Sequence, residues 1–110
     1  MTQVPTITKK DVAKRTAKIT GEKIYETQKI VDGLFTALRE IMSEANPEAR
    51  IEIRDFGVFE VKKTKPKPKA RNPKTGEIIY VPARRKTHFK PGKMLKEVLK
   101  KPLQENDRDE

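Results

Sequence analysis

The sequence predicts an α+β fold in which helices come first, antiparallel strands follow, and a basic two-stranded hairpin stands out from the strands. Three observations predict it. Apolar residues recur every three or four positions over residues 24–42, residues 50–54 and 58–61 alternate in character, and residues 62–90 hold cations at a density that no core accepts.

In chain order, residues 1–7 read as a flexible lead-in. Thr8-Lys9-Lys10-Asp11 then has the spacing of a helix N-cap with its reciprocal acidic partner, and Val12, Ala13, Thr16 and Ala17 give that helix a narrow apolar face. Thr20 is expected to end it and cap the next. Over residues 21–45 the stripe of Ile24, Thr27, Val31, Leu34, Phe35, Leu38, Ile41 and Met42 marks a long amphipathic helix, stopped by Asn46-Pro47. On a chain this small such a stripe is a core face or a dimer seam rather than a ligand groove. Residues 50–54 and 58–61 form two half-buried strands around an Asp55-Phe56-Gly57 turn. Beyond the hairpin, Pro91-Gly92 breaks the return strand, and Met94, Leu95, Val98 and Leu99 lie at helical spacing on a short closing helix. Residues 102–110 are an acidic tail, expected to be disordered.

The hairpin is organised around Arg71-Asn72-Pro73-Lys74-Thr75-Gly76-Glu77. Asn72-Pro73 starts a turn, and Gly76 supplies the positive φ that closes it. Lys62, Lys63, Lys65, Lys67 and Lys69 precede this septet, and Arg84, Arg85, Lys86 and Lys90 follow it. On a continuous strand Lys63, Lys65, Lys67, Lys69 and Arg71 project from one face, with Pro66 and Pro68 on the other. Two prolines at alternate positions remove donors along one edge, which must then be the unpaired one. The competing reading is a disordered Lys/Pro tail, against which stands the strand former Ile78-Ile79-Tyr80-Val81.

Charge is divided unevenly along the 110 residues. Residues 1–61 carry ten Lys/Arg against ten Asp/Glu, residues 62–101 carry fifteen against two, and the tail reverses the sign, for a net +10. A neutral body with one basic appendage is the footprint of a polyanion binder, nucleic acid before anionic membrane, since residues 62–71 lack the bulky apolar residues of a membrane-surface helix. No apolar run approaches the ~20 residues of a membrane span. The absence of cysteine fits a reducing compartment, and the chain is read as soluble and cytoplasmic. It also leaves a partner subunit as the means of stabilising so small a body. One histidine, His88, and no Ser/His/Asp or carboxylate cluster argue against an enzyme, and no metal, cofactor or small-molecule substrate is expected.

Three blocks in this order carry a family resemblance: Ile53-Arg54-Asp55-Phe56-Gly57-Val58-Phe59-Glu60-Val61, the septet at residues 71–77, and Phe89-Lys90-Pro91-Gly92-Lys93 with Leu95. They resemble the signature blocks of the bacterial histone-like DNA-bending proteins, HU and integration host factor, over residues 8–101 with the arm at about 62–90. The resemblance implies an intertwined dimer with a helical base, a three-stranded antiparallel sheet per chain, and two long β-hairpin arms that embrace double-stranded DNA in the minor groove. It implies a nucleoid-associated protein, a homodimer or a heterodimer with a paralogue. By the same resemblance Pro73 intercalates at the arm tip beside Arg71 and Asn72, and Lys93 contacts a phosphate. Phe56, Phe59 and Phe89, with Leu34 and Leu38 from the helical stripe, form the dimer core. Lys62, Lys63, Lys65, Lys67, Lys69, Lys74, Arg84, Arg85 and Lys86 complete the DNA-binding set. Ile51-Glu52-Ile53-Arg54 resembles the β subunit of integration host factor, where the arginine reads narrow grooves and the acid orients it; Arg54 is otherwise a solvated charge at a strand end. The arm is one residue longer than in usual members, and the lead-in and tail are additions.

The expected mechanism has phosphate neutralisation by the cations, with backbone donors added by the helix N-termini near Thr8 and Thr20. Pro73 then wedges a base step open, so that bending is largely independent of sequence. An RNA-binding protein would want more exposed aromatics than Tyr80 for base stacking. A structural protein using its sheet edge would show no nucleic-acid affinity at low salt.

Overall fold

The computed structural model describes residues 4–103; the start of the lead-in and the acidic tail from residue 104 lie outside them. The elements are α1 (Lys9–Thr20), α2 (Ile24–Ser43), β1 (Ala49–Ile53), β2 (Gly57–Lys63), β3 (Lys67–Arg71), β4 (Ile78–Val81), β5 (Arg85–Pro91) and α3 (Lys93–Lys100). They group into a helical unit that runs to Ser43 and a sheet unit, Glu44–Pro102.

In the helical unit, α1 starts with the expected capping box. The Thr8 hydroxyl accepts from the Asp11 amide at 3.3 Å, and the Asp11 carboxylate accepts from the Thr8 amide at 2.9 Å. The bond from the Thr8 backbone holds the Asp11 carboxyl below its usual range. The box satisfies the Thr8 and Asp11 amides, two of the four donors that a helix start leaves open. Gly21, at φ 79°, ends α1 by donating to the Ala17 carbonyl at 2.8 Å. Thr20 is therefore the last residue of α1 and not the cap of α2. Its hydroxyl donates back to the Thr16 carbonyl at 3.0 Å, and α2 begins only at Ile24. Small residues, Ala13 and Ala17 on α1 with Thr27 and Val31 on α2, are the buried ones. No large side chain is fully buried among the described residues, and Leu34 and Phe35 remain 53% and 39% exposed in the single chain.

In the sheet unit β2 lies between β1 and β5, both antiparallel to it. Ile51, Phe59 and Phe89 pair across the three strands, and Phe56 joins them from the turn, with ring centroids 4.8 to 6.4 Å apart. Asp55 takes φ 66° in that turn. Gly57 allows the closest packing in the sheet, because a Cβ there would lie 2.5 Å from the Lys90 carbonyl oxygen and 2.7 Å from the Phe89 ring. β3 and β4 form a separate two-stranded sheet.

The limbs of the hairpin are thus not the continuous strands that the sequence predicts. The first breaks at Thr64-Lys65-Pro66 and the second at Pro82-Ala83-Arg84. Pro66 and Pro82 lie between the last pair of one sheet, Lys63 with Arg85, and the first of the other, Lys67 with Val81. Neither has an N–H to carry a ladder through. The chain closes the gap from below: the Thr64 amide donates to the Arg84 carbonyl at 2.7 Å, and the Arg84 amide to the Thr64 hydroxyl at 2.9 Å.

Candidate nucleic-acid interface

The sequence-predicted cations fall into three groups. Lys62, Lys63, Arg85 and Lys86 belong to the three-stranded sheet; Lys65, Lys67, Lys69, Arg71, Lys74 and Arg84 belong to the hairpin and its joint; Arg54 and Lys93 belong to the β1–β2 turn and the start of α3.

The sheet group stands on a mixed surface. The pairings of Val58 with Lys90, Glu60 with His88 and Lys62 with Lys86 put these residues on the face opposite the phenylalanines. Glu60, with its side chain 14% exposed, lies 3.6 Å from Lys62 and 3.4 Å from Lys90. These are ion pairs, since the oxygen involved makes no hydrogen bond. Burial opposes its charge, but Lys90 and Lys62 outweigh that and hold the Glu60 carboxyl below its usual range. Lys62 therefore already has an anionic partner. Arg85 donates from its guanidinium to the Ala45 carbonyl at 2.6 Å, so part of its hydrogen-bonding capacity serves the loop before β1.

The hairpin group differs. All six cations are exposed, Glu77 is the one acid among residues 64–84, and none of the six forms an ion pair within the described residues. They do not share one face. From Lys67 to Ala70 β3 advances three residues while β4 advances two, from Val81 to Ile79. That extra residue is a bulge, which resets the alternation and puts Arg71, opposite Ile78, on the face away from Lys67. The one-face expectation fails here because register depends on the partner strand.

The tip is a closed four-residue loop. Asn72 donates to the Glu77 carbonyl and accepts from Gly76, both at 2.7 Å, while the Asn72 side chain accepts from the Lys74 amide at 2.9 Å. Gly76 has φ 76°, as the turn requires. Arg71 braces the far side by donating to the Gly76 carbonyl at 3.2 Å. Pro73 is exposed at the first loop position, so a rigid apolar ring is presented on a tip fixed by its own hydrogen bonds.

Arg54 and Lys93 line one concavity with Phe56 and Gly92. Gly92 caps α3 without a side-chain bond. Glu52, the acid two residues before Arg54, pairs with Arg50 at 3.5 Å. Sequence reasoning missed Glu60 and Glu48, whose carboxylate accepts from the Lys63 amide at 3.1 Å. The contacts of Glu60 with Lys90 and of Glu48 with Lys63 join residues distant in sequence, and only the strand register reveals them.

The bacterial DNA-binding protein family model matches residues 7–100. The HU proteins of Thermus thermophilus and Thermotoga maritima are 35% and 36% identical, covering 87% and 86% of this chain and 95% and 100% of their own. The integration host factor α subunit of Hahella chejuensis is 36% identical over 82% of this chain and 86% of its own. An HU–DNA cocrystal structure from Anabaena shares the fold, with a TM-score of 0.72 at 24% identity, covering 87% of this chain and 100% of that one. The three short blocks are therefore parts of a likeness that runs through both units, and the chain belongs to the bacterial DNA-binding protein family represented by HU and integration host factor.

Proposed function

We propose that the protein is an architectural DNA-binding protein that works as a dimer in the nucleoid and bends duplex DNA largely irrespective of sequence. The observation that carries this reading is the hairpin: six exposed cations without an ion pair among the described residues lead to a self-braced tip that presents Pro73. Cations on both faces of the ribbon neutralise phosphates and release counterions. Pro73 opens a base step, and the few kcal/mol that unstacking costs are offset by the added wrapped contacts. The family is one of DNA-binding proteins and not of enzymes. Its named relatives support duplex DNA as the partner.

The dimer is supported by the apolar surface that one chain cannot cover, including Leu34, Phe35, Ile41 and Phe56. The melting temperature is expected to rise with protein concentration. A concentration-independent melt of a monomeric species overturns the dimer.

The test of bending compares wild type with Pro73→Ala on duplex, nicked and random-sequence DNA beside an RNA control. The variant should lose most of the bend and only modestly lose affinity for straight duplex. On nicked DNA, where the stack is already interrupted, it should bind nearly as well as wild type. An unchanged bend in a fluorescence or ring-closure assay overturns the wedge.

A further inference from the structure

We infer that Glu48 is a positioning residue for the DNA-gripping arm, an acid that fixes the root of a basic hairpin. The inference rests on the reading of residues 64–84 as that arm. β1 pairs with β2 from Ile53 opposite Gly57 to Ala49 opposite Val61 and goes no further. β2 continues through Lys62 and Lys63, so its edge toward β1 overhangs with backbone groups that have no strand partner. Glu48, the residue before β1, supplies the missing acceptor: its Oε2 takes the Lys63 N–H at 3.1 Å. On the opposite limb the partner of Lys63 in the ladder is Arg85, whose guanidinium donates to the Ala45 carbonyl at 2.6 Å. Residues 45–48 thus hold both limbs at the same level, directly below the Thr64–Arg84 closure and the proline gap.

A lever is only as well aimed as its support. With the root held, motion is confined to the gap at Pro66 and Pro82; without it, the two-residue overhang of β2 can fray and move the whole hairpin. Charge alone makes the contrary statement. Removing an acid near a polyanion site should strengthen binding, whereas positioning requires that acid to be kept within reach.

Two substitutions in the full-length protein separate these. Glu48→Gln keeps the acceptor at the same reach and removes the charge; Glu48→Asp keeps the charge and withdraws the acceptor by one methylene. Lys63 amide hydrogen exchange, the spread of bend angles on an end-labelled duplex, and affinity for that duplex are measured for each, with a thermal melt to confirm folding. Glu48→Gln should match wild type in exchange and bend, with affinity equal or slightly higher. Glu48→Asp should exchange the Lys63 amide at least tenfold faster and broaden the bend distribution at nearly unchanged affinity. If Glu48→Asp matches wild type, or Glu48→Gln behaves as expected for Glu48→Asp, the positioning role is wrong. If wild type itself leaves DNA straight, the bending function fails, while Lys63 exchange still reports separately on the root contact.

Discussion

The three-stranded sheet and the β3–β4 hairpin have much the same building material, and they treat their charges in opposite ways. On the sheet, Glu60 holds Lys62 and Lys90, and Glu52 holds Arg50. On the hairpin and its joint, six cations stand exposed without an ion pair within the described residues. The sheet also has the phenylalanine cluster, whereas the hairpin has Ala70 and Val81 as its half-buried apolar residues and leaves Ile78, Ile79 and Tyr80 exposed. One region is held together by its own contacts; the other is charged for something it does not contain. A cation count along the sequence does not distinguish them, because it gives Lys62 and Lys67 equal weight.

Paired glycine substitutions should separate the two regions most strongly. Gly57→Ala drives a methyl group into the Lys90 carbonyl and Phe89 ring, so the global melt should fall by an amount equivalent to about 1–3 kcal/mol. Gly76→Ala meets no atom within 4 Å and costs roughly 1–2 kcal/mol of left-handed backbone strain, confined to the tip. Calorimetry should show the first loss and leave the melt of Gly76→Ala near that of wild type. Equal losses would mean that hairpin and sheet unfold as one body.

A smaller effect sharpens the electrostatic contrast. If a dimer meets about eight phosphates, log K against log salt should slope near −7, and Lys67→Ala should make it shallower by up to about two per dimer. Lys62→Ala should change it less, because Glu60 already neutralises part of that charge. Identical slopes for the two variants would remove the distinction between held and free cations.

The smallest effect concerns acid. The Glu60 carboxyl is lowered from an ordinary value of 4.5, because its lysines outweigh the burial that opposes its charge. A depressed folded value contributes stability above the unfolded pKa, and that contribution is lost as pH falls through the folded one. The melting advantage of wild type over Glu60→Gln should be constant near neutral pH and should shrink below about pH 4.5. A constant difference down to pH 2 would show that the carboxylate charge does not matter to the sheet.

The helices, the β1–β2 pair and the tip are readable because each depends on near neighbours, whereas the pairing of β2 with β5 spans the whole hairpin and follows from the family resemblance. Thr8 and Asp11 are three residues apart, and the Asn72–Gly76 turn closes on itself. The start of α2 was misread because left-handed Gly21 ended α1 by bonding back to Ala17, which kept Thr20 inside the earlier helix. The basic face of the arm was misread for a different reason. The bulge between Lys67 and Ala70 is a relation to Ile79 and Val81 on the other limb, so no spacing within residues 62–71 expresses it. The partners that Glu60 and Glu48 find in Lys90 and Lys63, 30 and 15 residues away, illustrate the same limit.

The gap at Pro66 and Pro82 has a consequence for how such a chain evolves. No ladder bond passes through it, so residues beyond it contribute little to the cooperative unit that selection for thermal persistence acts upon. On the proposed function, changes at Lys67, Lys69 or Lys74 should therefore tune the grip on DNA while the melting point stays nearly where it was, and changes around Gly57 should alter heat tolerance with the grip intact. On that reading, two traits that compete for the same residues in many proteins fall on opposite sides of a pair of prolines.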